Sequence, residues 1–261
     1  MLINAAQAGP SLRRPRAGRR HRLEIGRHVI ERDFESPRKP DARPGGPPQL
    51  PGAAYEVFQA HSTRCTFSTG EQLFLQGEPS RKAFLITRGL VRTYYTSSVG
   101  KEITMAYWSP GDIVGGPYFF GGGVAHVWSA RAIEESEALE IHCSDLEAIA
   151  AKHPSIGHWL TDVLAFKLHW VSSLLQALGT GSVTVRLAHL VLQLTELYGV
   201  QQEDCVAIKY RFTQEDLANM VGATRQRVNM ILRYFVSEGV LSVGHHQIVV
   251  RNKEALRSLV G

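Results

Sequence analysis

The most informative part of this sequence is residues 212–241, which read FTQEDLANMVGATRQRVNMILRYFVSEGVL. Thr213 followed by Asp216 is typical of a helix start, because the hydroxyl of a capping Thr accepts from a free backbone amide and the helix dipole favours an acid in the first turn. Gly222 allows a tight turn, and Thr224 can cap a second helix. The pattern predicts two short helices joined by a tight turn, which is a helix-turn-helix.

The second helix of this motif has two chemically distinct faces. Its apolar residues recur at helical spacing and predict a buried face, made of Val228, Ile231, Leu232 and Phe235. Its first turns keep polar side chains exposed, namely Arg225, Gln226, Arg227 and Asn229. Arg suits the edge of guanine, and Gln or Asn suits adenine, so these residues favour a recognition helix in the DNA major groove. The alternative is an amphipathic helical hairpin with a solvated face.

The flanking residues complete a winged helix-turn-helix over residues 181–261. A helix is predicted at 183–198 and a short strand at 206–208, upstream of the motif. Downstream, strands 241–243 and 247–250 predict a β-hairpin, a wing whose tip can contact phosphates. The residues expected to meet double-stranded DNA are Thr213, Gln214, Thr224, Arg225, Gln226, Arg227, Asn229 and His245.

A long helix is predicted over residues 153–180. Its apolar residues follow each other in steps of three or four and form one stripe, made of Leu160, Leu164, Leu168, Val171, Leu175 and Leu178. An isolated helix of this length needs a partner, so we expect the stripe to form the seam of a homodimer. Packing against its own β domain is the alternative for part of the stripe. Gly179-Thr180-Gly181 is expected to break the helix and form a hinge.

Residues 51–152 predict an antiparallel β-roll, or jelly roll. Glycines at 70, 77, 89, 100 and 111 separate short runs with strand character, such as 72–75, 84–86, 93–95 and 103–107. A roll of this type encloses a pocket in which a small effector can bind. The predicted fold class is therefore α+β, with an N-terminal roll, a long dimerisation helix and a C-terminal winged helix-turn-helix.

The first 50 residues differ in composition from the rest of the chain. They contain 11 Lys or Arg against 5 Asp or Glu, with many Pro and Gly, so they carry the positive charge of a chain whose net charge is +5. We expect this basic tail to be disordered; it is either an arm for non-specific DNA binding or a dispensable leader. The sequence has no membrane span and no secretory signal, and its 3 cysteines are isolated, which favours a cytoplasmic protein.

The chain from about Thr66 to Val250 resembles the cyclic-AMP receptor/Fnr (Crp/Fnr) superfamily of bacterial regulators. FTQEDLANMVGATRQRV is similar to the helix-turn-helix signature of that family, and FSTGEQLFLQGEPSRKAFLITRGLVR and GKEITMAYWSPGD are similar to its cyclic-nucleotide-binding-type roll. The resemblance implies a homodimer that reads a two-fold symmetric operator, an effector in the roll that reorients the DNA-binding heads, and RNA polymerase as a partner.

The predicted effector site departs from the nucleotide-binding members of that family. Those members have a Glu for the ribose and an Arg-Ser pair for the cyclic phosphate, whereas this chain has Gly116 and His126-Val127 there. A buried phosphate needs a fixed cation and several donors, so cyclic AMP and cyclic GMP are not expected. The residues expected at the effector site are Gly115, Gly116, Tyr118, Phe119, His126, Val127, Trp128, Val171 and Ser172.

The residues that replace the nucleotide-binding groups are apolar, namely Pro117, Tyr118, Phe119, Phe120, Val127 and Trp128. Such a lining suits an aromatic or other apolar metabolite, and the effector is otherwise unknown. One alternative is a haem-based sensor with His126 as a ligand, and another is a roll that serves only as a scaffold. An enzyme is not expected, because the roll has no metal-binding His cluster and the chain has no nucleophile elbow, HExxH or phosphate-loop motif.

The recognition helix departs from the family pattern too. The common Arg-Glu-Thr-Val-x-Arg becomes Arg225-Gln226-Arg227-Val228-Asn229-Met230. We expect a half-site that keeps the guanine contact of Arg225 and differs from the usual sequence at the base pair that Gln226 reads.

Overall fold

The computed structural model describes residues 48–116, 118–120, 124–245 and 247–260. The predicted disordered tail at 1–50 therefore lies outside the described residues, apart from its last three. Those three residues are packed: Trp159 donates a hydrogen bond from its indole nitrogen to the carbonyl of Pro48 at 3.0 Å, and Leu50 contacts the apolar core.

Eight strands between residues 63 and 142 form two four-stranded antiparallel sheets, which confirms the predicted roll. The sheet orders are β1-β8-β3-β6 and β2-β7-β4-β5. The strands are β1 (Thr63–Phe67), β2 (Gln72–Phe74), β3 (Lys82–Arg88), β4 (Val91–Thr96), β5 (Glu102–Trp108), β6 (Ile113–Val114), β7 (Ser129–Ala132) and β8 (Ser136–His142). Phe84, Val91, Trp108 and Val114 belong to the apolar cluster between the sheets.

The glycines that separate the strands are there because of turn geometry. All five have positive φ, from +78° at Gly100 to +95° at Gly111, a region that residues with a Cβ rarely occupy. At Gly89 a side chain would also run into the backbone of Glu135 and Ser136. The regular glycine spacing in the sequence is therefore the spacing of the turns.

Three helices cover one side of the roll: α1 (Gly52–Ala60), α2 (Cys143–Lys152) and α3 (Pro154–Thr180). Phe58, Leu146, Ile156 and Trp159 belong to the apolar cluster that joins them to the sheet. Of these three helices, only α3 is predicted from the sequence pattern. The helix ends at Thr180 with Gly181 as its C-cap, so it ends within the predicted Gly179-Thr180-Gly181 break; the hinge at this tripeptide stays a prediction.

The apolar stripe of α3 has two parts. Leu160 is buried against the roll, as expected for the alternative in which the helix packs on its own domain. Farther along, Leu168 and Leu175 expose 68% and 67% of their surface, and Leu164, Val171 and Leu178 expose between 38% and 40%. In the described part of the chain, five of the six stripe residues are therefore partly or largely exposed.

A buried ion pair ties α3 to the roll. The amine of Lys167 lies 2.8 Å from Oδ1 of Asp112 and 4.1 Å above the ring of Trp108. The other carboxylate oxygen of Asp112 accepts a hydrogen bond from the backbone amide of Ser109 at 2.9 Å. Since Asp112 is only 1% exposed, this pair is held away from water.

The remaining elements form the predicted winged helix-turn-helix. They are α4 (Val183–Tyr198), β9 (Gly199–Gln201), β10 (Val206–Ile208), α5 (Gln214–Val221), α6 (Arg225–Ser237), β11 (Leu241–Gly244), β12 (Gln247–Val250) and α7 (Lys253–Val260). The sheet has the order β11-β12-β10-β9. The sequence analysis missed α7, which Leu256 anchors in the core with no exposed surface.

The winged helix packs against the roll of the same chain. Tyr198 donates its hydroxyl to the carbonyl of Tyr107 on β5 at 3.2 Å, and the Tyr107 ring meets Phe212 edge-on at 4.9 Å. Burial, and then the nearby carboxylate of Asp216, raise the pKa of Tyr107 well above its usual value, so its phenol stays neutral. The two domains are thus joined through aromatic residues.

Within the described ranges, no helix combines the length and the apolar character that crossing a bilayer requires.

Candidate nucleic-acid interface

The first helix of the motif begins with a complete capping box. The hydroxyl of Thr213 accepts a hydrogen bond from the Asp216 amide at 3.1 Å, and the Asp216 carboxylate accepts one from the Thr213 amide at 2.9 Å. At the other end Gly222 adopts φ 62° and ψ 44°, the left-handed conformation that lets the chain turn. Thr224 then caps α6 by accepting from the Arg227 amide at 3.2 Å.

Two interactions hold α6 and the turn in place. The predicted apolar face of α6 is buried, with Val228 and Phe235 at its two ends. Arg186 on α4 donates from Nη1 to the carbonyl of Val221 at 2.8 Å, which satisfies one of the free acceptors at the end of α5. The role of Arg186 is not predictable from the sequence, because nothing near it in the chain indicates that partner.

The N-terminal part of α6 faces solvent together with the start of α5. Gln214, Thr224, Arg225, Gln226 and Asn229 line one depression of about 520 Å³. The structure therefore brings together five of the eight residues that the sequence analysis assigned to DNA.

The other three predicted DNA residues lie outside that depression. Thr213 is exposed at the N-cap of α5, and Arg227 is exposed in the first turn of α6. His245 is exposed at the tip of the wing. Its φ is 48°, a positive value; among the described residues, all the others with a positive φ are glycines. Neither Arg225 nor Arg227 forms an ion pair with a described residue, so their charges remain available for an anion.

One hydrogen bond links the two helices inside the depression. Gln214 donates from Nε2 to Oδ1 of Asn229 at 3.1 Å. Both side chains are half-buried, whereas the neighbouring Arg225 and Gln226 are exposed. The depression therefore contains two half-buried amide side chains, Gln214 and Asn229, that are hydrogen-bonded between the helices, next to the exposed side chains of Arg225 and Gln226.

The predicted effector site begins with two buried glycines that have different surroundings. A side chain at Gly115 would meet the backbone of Lys82 and Ala83. A side chain at Gly116 would come within 3.1 Å of the Phe119 ring. Phe119 itself belongs to the cluster that joins the roll to its covering helices and is 5% exposed. Its ring therefore occupies the space beside Gly116.

His126 is packed inside the roll. Its ring stacks on Phe74 with 3.8 Å between the centroids, and it is 5% exposed. Its Nδ1 is buried with no hydrogen-bond partner among the described residues, and so is Nε1 of Trp128. Burial lowers the pKa of His126, with Glu78 opposing the shift, so the imidazole is neutral at pH 7.

The other predicted effector residues are closer to solvent. Tyr118 exposes 55% of its surface, Val127 43% and Val171 39%, and Ser172 is half-exposed on α3. The structure thus separates the predicted set into buried residues, namely Gly115, Gly116, Phe119 and His126, and residues that are partly or largely exposed.

Two family models match the chain, and both agree with this geometry. Residues 64–153 match a model described as a cyclic nucleotide-binding domain, and residues 185–259 match a Crp-like helix-turn-helix domain. The chain is 29% identical over 190 residues to the "CRP-like cAMP-activated global transcriptional regulator" of Mycobacterium tuberculosis, covering 73% of this chain and 84% of the relative. It is 26% identical over 216 residues to the "Anaerobic regulatory protein" of Bacillus subtilis, covering 82% and 91%.

Solved structures have the same fold. FixK2 from Bradyrhizobium japonicum superposes with a TM-score of 0.68 at 24% identity, over 77% of this chain and 98% of that one. A CooA mutant from Carboxydothermus hydrogenoformans superposes with a TM-score of 0.69 at 20% identity, over 86% and 98%.

Proposed function

Because the chain belongs to the Crp/Fnr superfamily of transcription regulators, we propose that it binds a two-fold symmetric DNA operator as a homodimer. The observation that carries this proposal is the exposed polar depression at the start of α6, where Arg225, which pairs with no acid among the described residues, lies beside Gln and Asn side chains. These are the groups that read base edges in the major groove.

Each DNA residue has a proposed role that follows from its position. Arg225, exposed in the first turn of α6, reads guanine O6 and N7, and Gln226 reads adenine N6 and N7. Three residues contact phosphates and fix the orientation of the DNA-binding head on the duplex: Thr213 at the N-cap of α5, Arg227 in the first turn of α6 and His245 at the wing tip.

The second copy of this chain is the proposed partner of α3. The exposed residues Leu164, Leu168, Val171 and Leu175 recur in steps of four, three and four, which keeps them on one face over three turns. A two-fold axis along α3 would pair each stripe with its copy and place two heads for two half-sites about one helical turn apart.

The proposed effector is a small molecule other than a cyclic nucleotide. The Phe119 ring occupies the space beside Gly116, so the position that would hold a ribose-binding Glu is filled by an apolar group. The packed, neutral His126 offers no charge to a phosphate. The packing of Phe119 beside Gly116 also supports the alternative in which the roll is only a scaffold. Haem is less well supported, because the His126 ring is enclosed and stacked on Phe74. RNA polymerase is the proposed partner in transcription.

The test is selection of bound sequences from a random DNA duplex pool at near-physiological salt. Wild type should enrich a two-fold symmetric motif. Arg225→Ala should lose a guanine contact worth about 1–3 kcal/mol per half-site, which weakens binding to a one-half-site probe roughly 5- to 150-fold.

The matched control is Arg64→Ala, which removes the same charge from an exposed position on β1 of the roll. It should leave the enriched motif and the affinity unchanged. If neither purified protein nor protein supplemented with cell extract enriches a motif, the proposal fails. If Arg225→Ala enriches the wild-type motif with wild-type affinity, the proposed role of this arginine is wrong.

A further inference from the structure

The amide pair inside the depression suggests how one base of the operator is chosen. Asn229 lies on the second turn of α6, among the residues that we propose to read DNA, and Gln214 is the first residue of α5. The Gln214 Nε2 to Asn229 Oδ1 hydrogen bond of 3.1 Å turns the Asn229 carbonyl toward α5. The amide NH₂ group of Asn229 is then the part left for a base edge.

The free NH₂ group changes which bases Asn229 can recognise. An Asn that reads adenine needs its carbonyl to accept from N6 while its NH₂ donates to N7. An Asn whose carbonyl is directed to another side chain presents donors alone. Such donors match guanine, which accepts at O6 and N7, or thymine, which accepts at O4. Adenine fits less well, because its N7 accepts but its N6 amino group is left without an acceptor, and the N4 amino group of cytosine opposes the donors.

We propose that Asn229 is a specificity-determining residue that selects a keto base, guanine or thymine, and that Gln214 is the positioning residue that sets the orientation of its amide. This inference rests on the proposed function, since it concerns one base pair within the same operator. It differs from what the residue type alone predicts, which is adenine.

Two variants should invert the preference by different routes. Asn229→Asp replaces the donor by an acceptor at the base edge, so the selected base should change from guanine or thymine to an amino base, cytosine or adenine. Gln214→Glu offers only acceptors to Asn229, so the amide must rotate to donate its NH₂ to Glu, and its carbonyl then faces the groove. The same base position should therefore change to an amino base although Asn229 itself is unaltered.

A third variant should broaden the preference. Gln214→Leu keeps the volume of the side chain and removes both hydrogen-bonding groups, so the Asn229 amide is free to rotate. Discrimination against adenine at this position, expected to be about five- to tenfold in wild type, should fall to about twofold or less. If the bond only ties α5 to α6, the variant should bind every sequence more weakly and keep the wild-type base preference.

The experiment is the same duplex selection, run with wild type and the three variants, followed by binding to probes with each of the four bases at the responding position. Comparison of the guanine and thymine probes identifies which keto base is read. A position that switches in both Asn229→Asp and Gln214→Glu supports the proposal, while the guanine read by Arg225 stays unchanged. An added negative charge can weaken overall binding, but it does not by itself exchange one preferred base for another.

Three results would overturn the inference. A wild-type motif in which the Asn229-dependent position prefers adenine or cytosine contradicts the orientation of the amide. A motif that no Asn229 or Gln214 variant alters shows that the pair reads no base. If wild type enriches no motif at all, the DNA-binding proposal itself fails, and the inference fails with it.

Discussion

Replacing Leu168 and Leu175 by Ala should separate the two copies of the proposed homodimer. Each leucine exposes about two-thirds of its surface, and complete burial of a leucine is worth about 1.5–3 kcal/mol. Burying the exposed part therefore contributes about 1–2 kcal/mol per leucine, or about 4–8 kcal/mol for the four leucines of a dimer. Alanine keeps part of this contact, so a loss of about 3–5 kcal/mol is expected, which weakens dimerisation roughly 10²- to 10⁴-fold.

Sedimentation equilibrium over a wide range of protein concentrations measures this change directly. Because alanine is the best helix former, α3 should remain helical, and the thermal unfolding of the monomer should change little. His169→Ala is the matched control, because it removes an exposed side chain adjacent to Leu168. The reasoning is refuted if wild type is monomeric at tens of micromolar, or if the double variant dimerises as tightly as wild type.

Three further changes test the internal structure. Gly222→Ala places a Cβ at φ 62°, where it meets no atom closer than 3.4 Å. Backbone strain alone should therefore lower the free energy of unfolding, measured in urea, by about 1–2 kcal/mol. The control Gly157→Ala in α3 should not lower it. Asp112→Asn leaves the Lys167 amine without its buried partner and should cost about 3–5 kcal/mol, and unchanged stability would disprove the ion pair. The folded protein lowers the pKa of His126, so the unfolded state binds more protons, and the free energy of unfolding should fall as the pH drops below about 6.5. His126→Phe should weaken that pH dependence, and an identical pH profile would contradict a buried, neutral His126.

Helix starts and turns in the winged helix and the roll could be predicted from the sequence, because the residues that cause each of them lie within a few positions of one another in the chain. The capping box joins Thr213 to Asp216, three residues away. Gly222 and the turn glycines each answer a backbone requirement at their own position. The apolar face of α6 follows from helical periodicity, which needs no knowledge of what the face touches.

Several elements escaped the sequence analysis because their patterns are short or shared with neighbours. The helix α2 begins at Cys143, directly after strand β8 ends at His142, so no turn signal separates them. The helix α7 has only eight residues, as α5 has, but α5 begins with a capping box, whereas the start of α7 is marked by the single side chain of Asn252, which accepts from the Ala255 amide at 2.9 Å. Tertiary packing stabilises such short helices, since an isolated helix of that length is marginal in water.

The sequence alone therefore established the order of the domains, the helix-turn-helix and the chemical character of its exposed face. The folded chain was needed to reveal which side chains meet. Arg186 reaches the Val221 carbonyl from 35 positions away, and Gln214 reaches Asn229 from 15. The physical reason is that caps, turns and periodicity are local properties of the backbone, whereas a hydrogen bond between distant side chains exists only after packing brings their elements together.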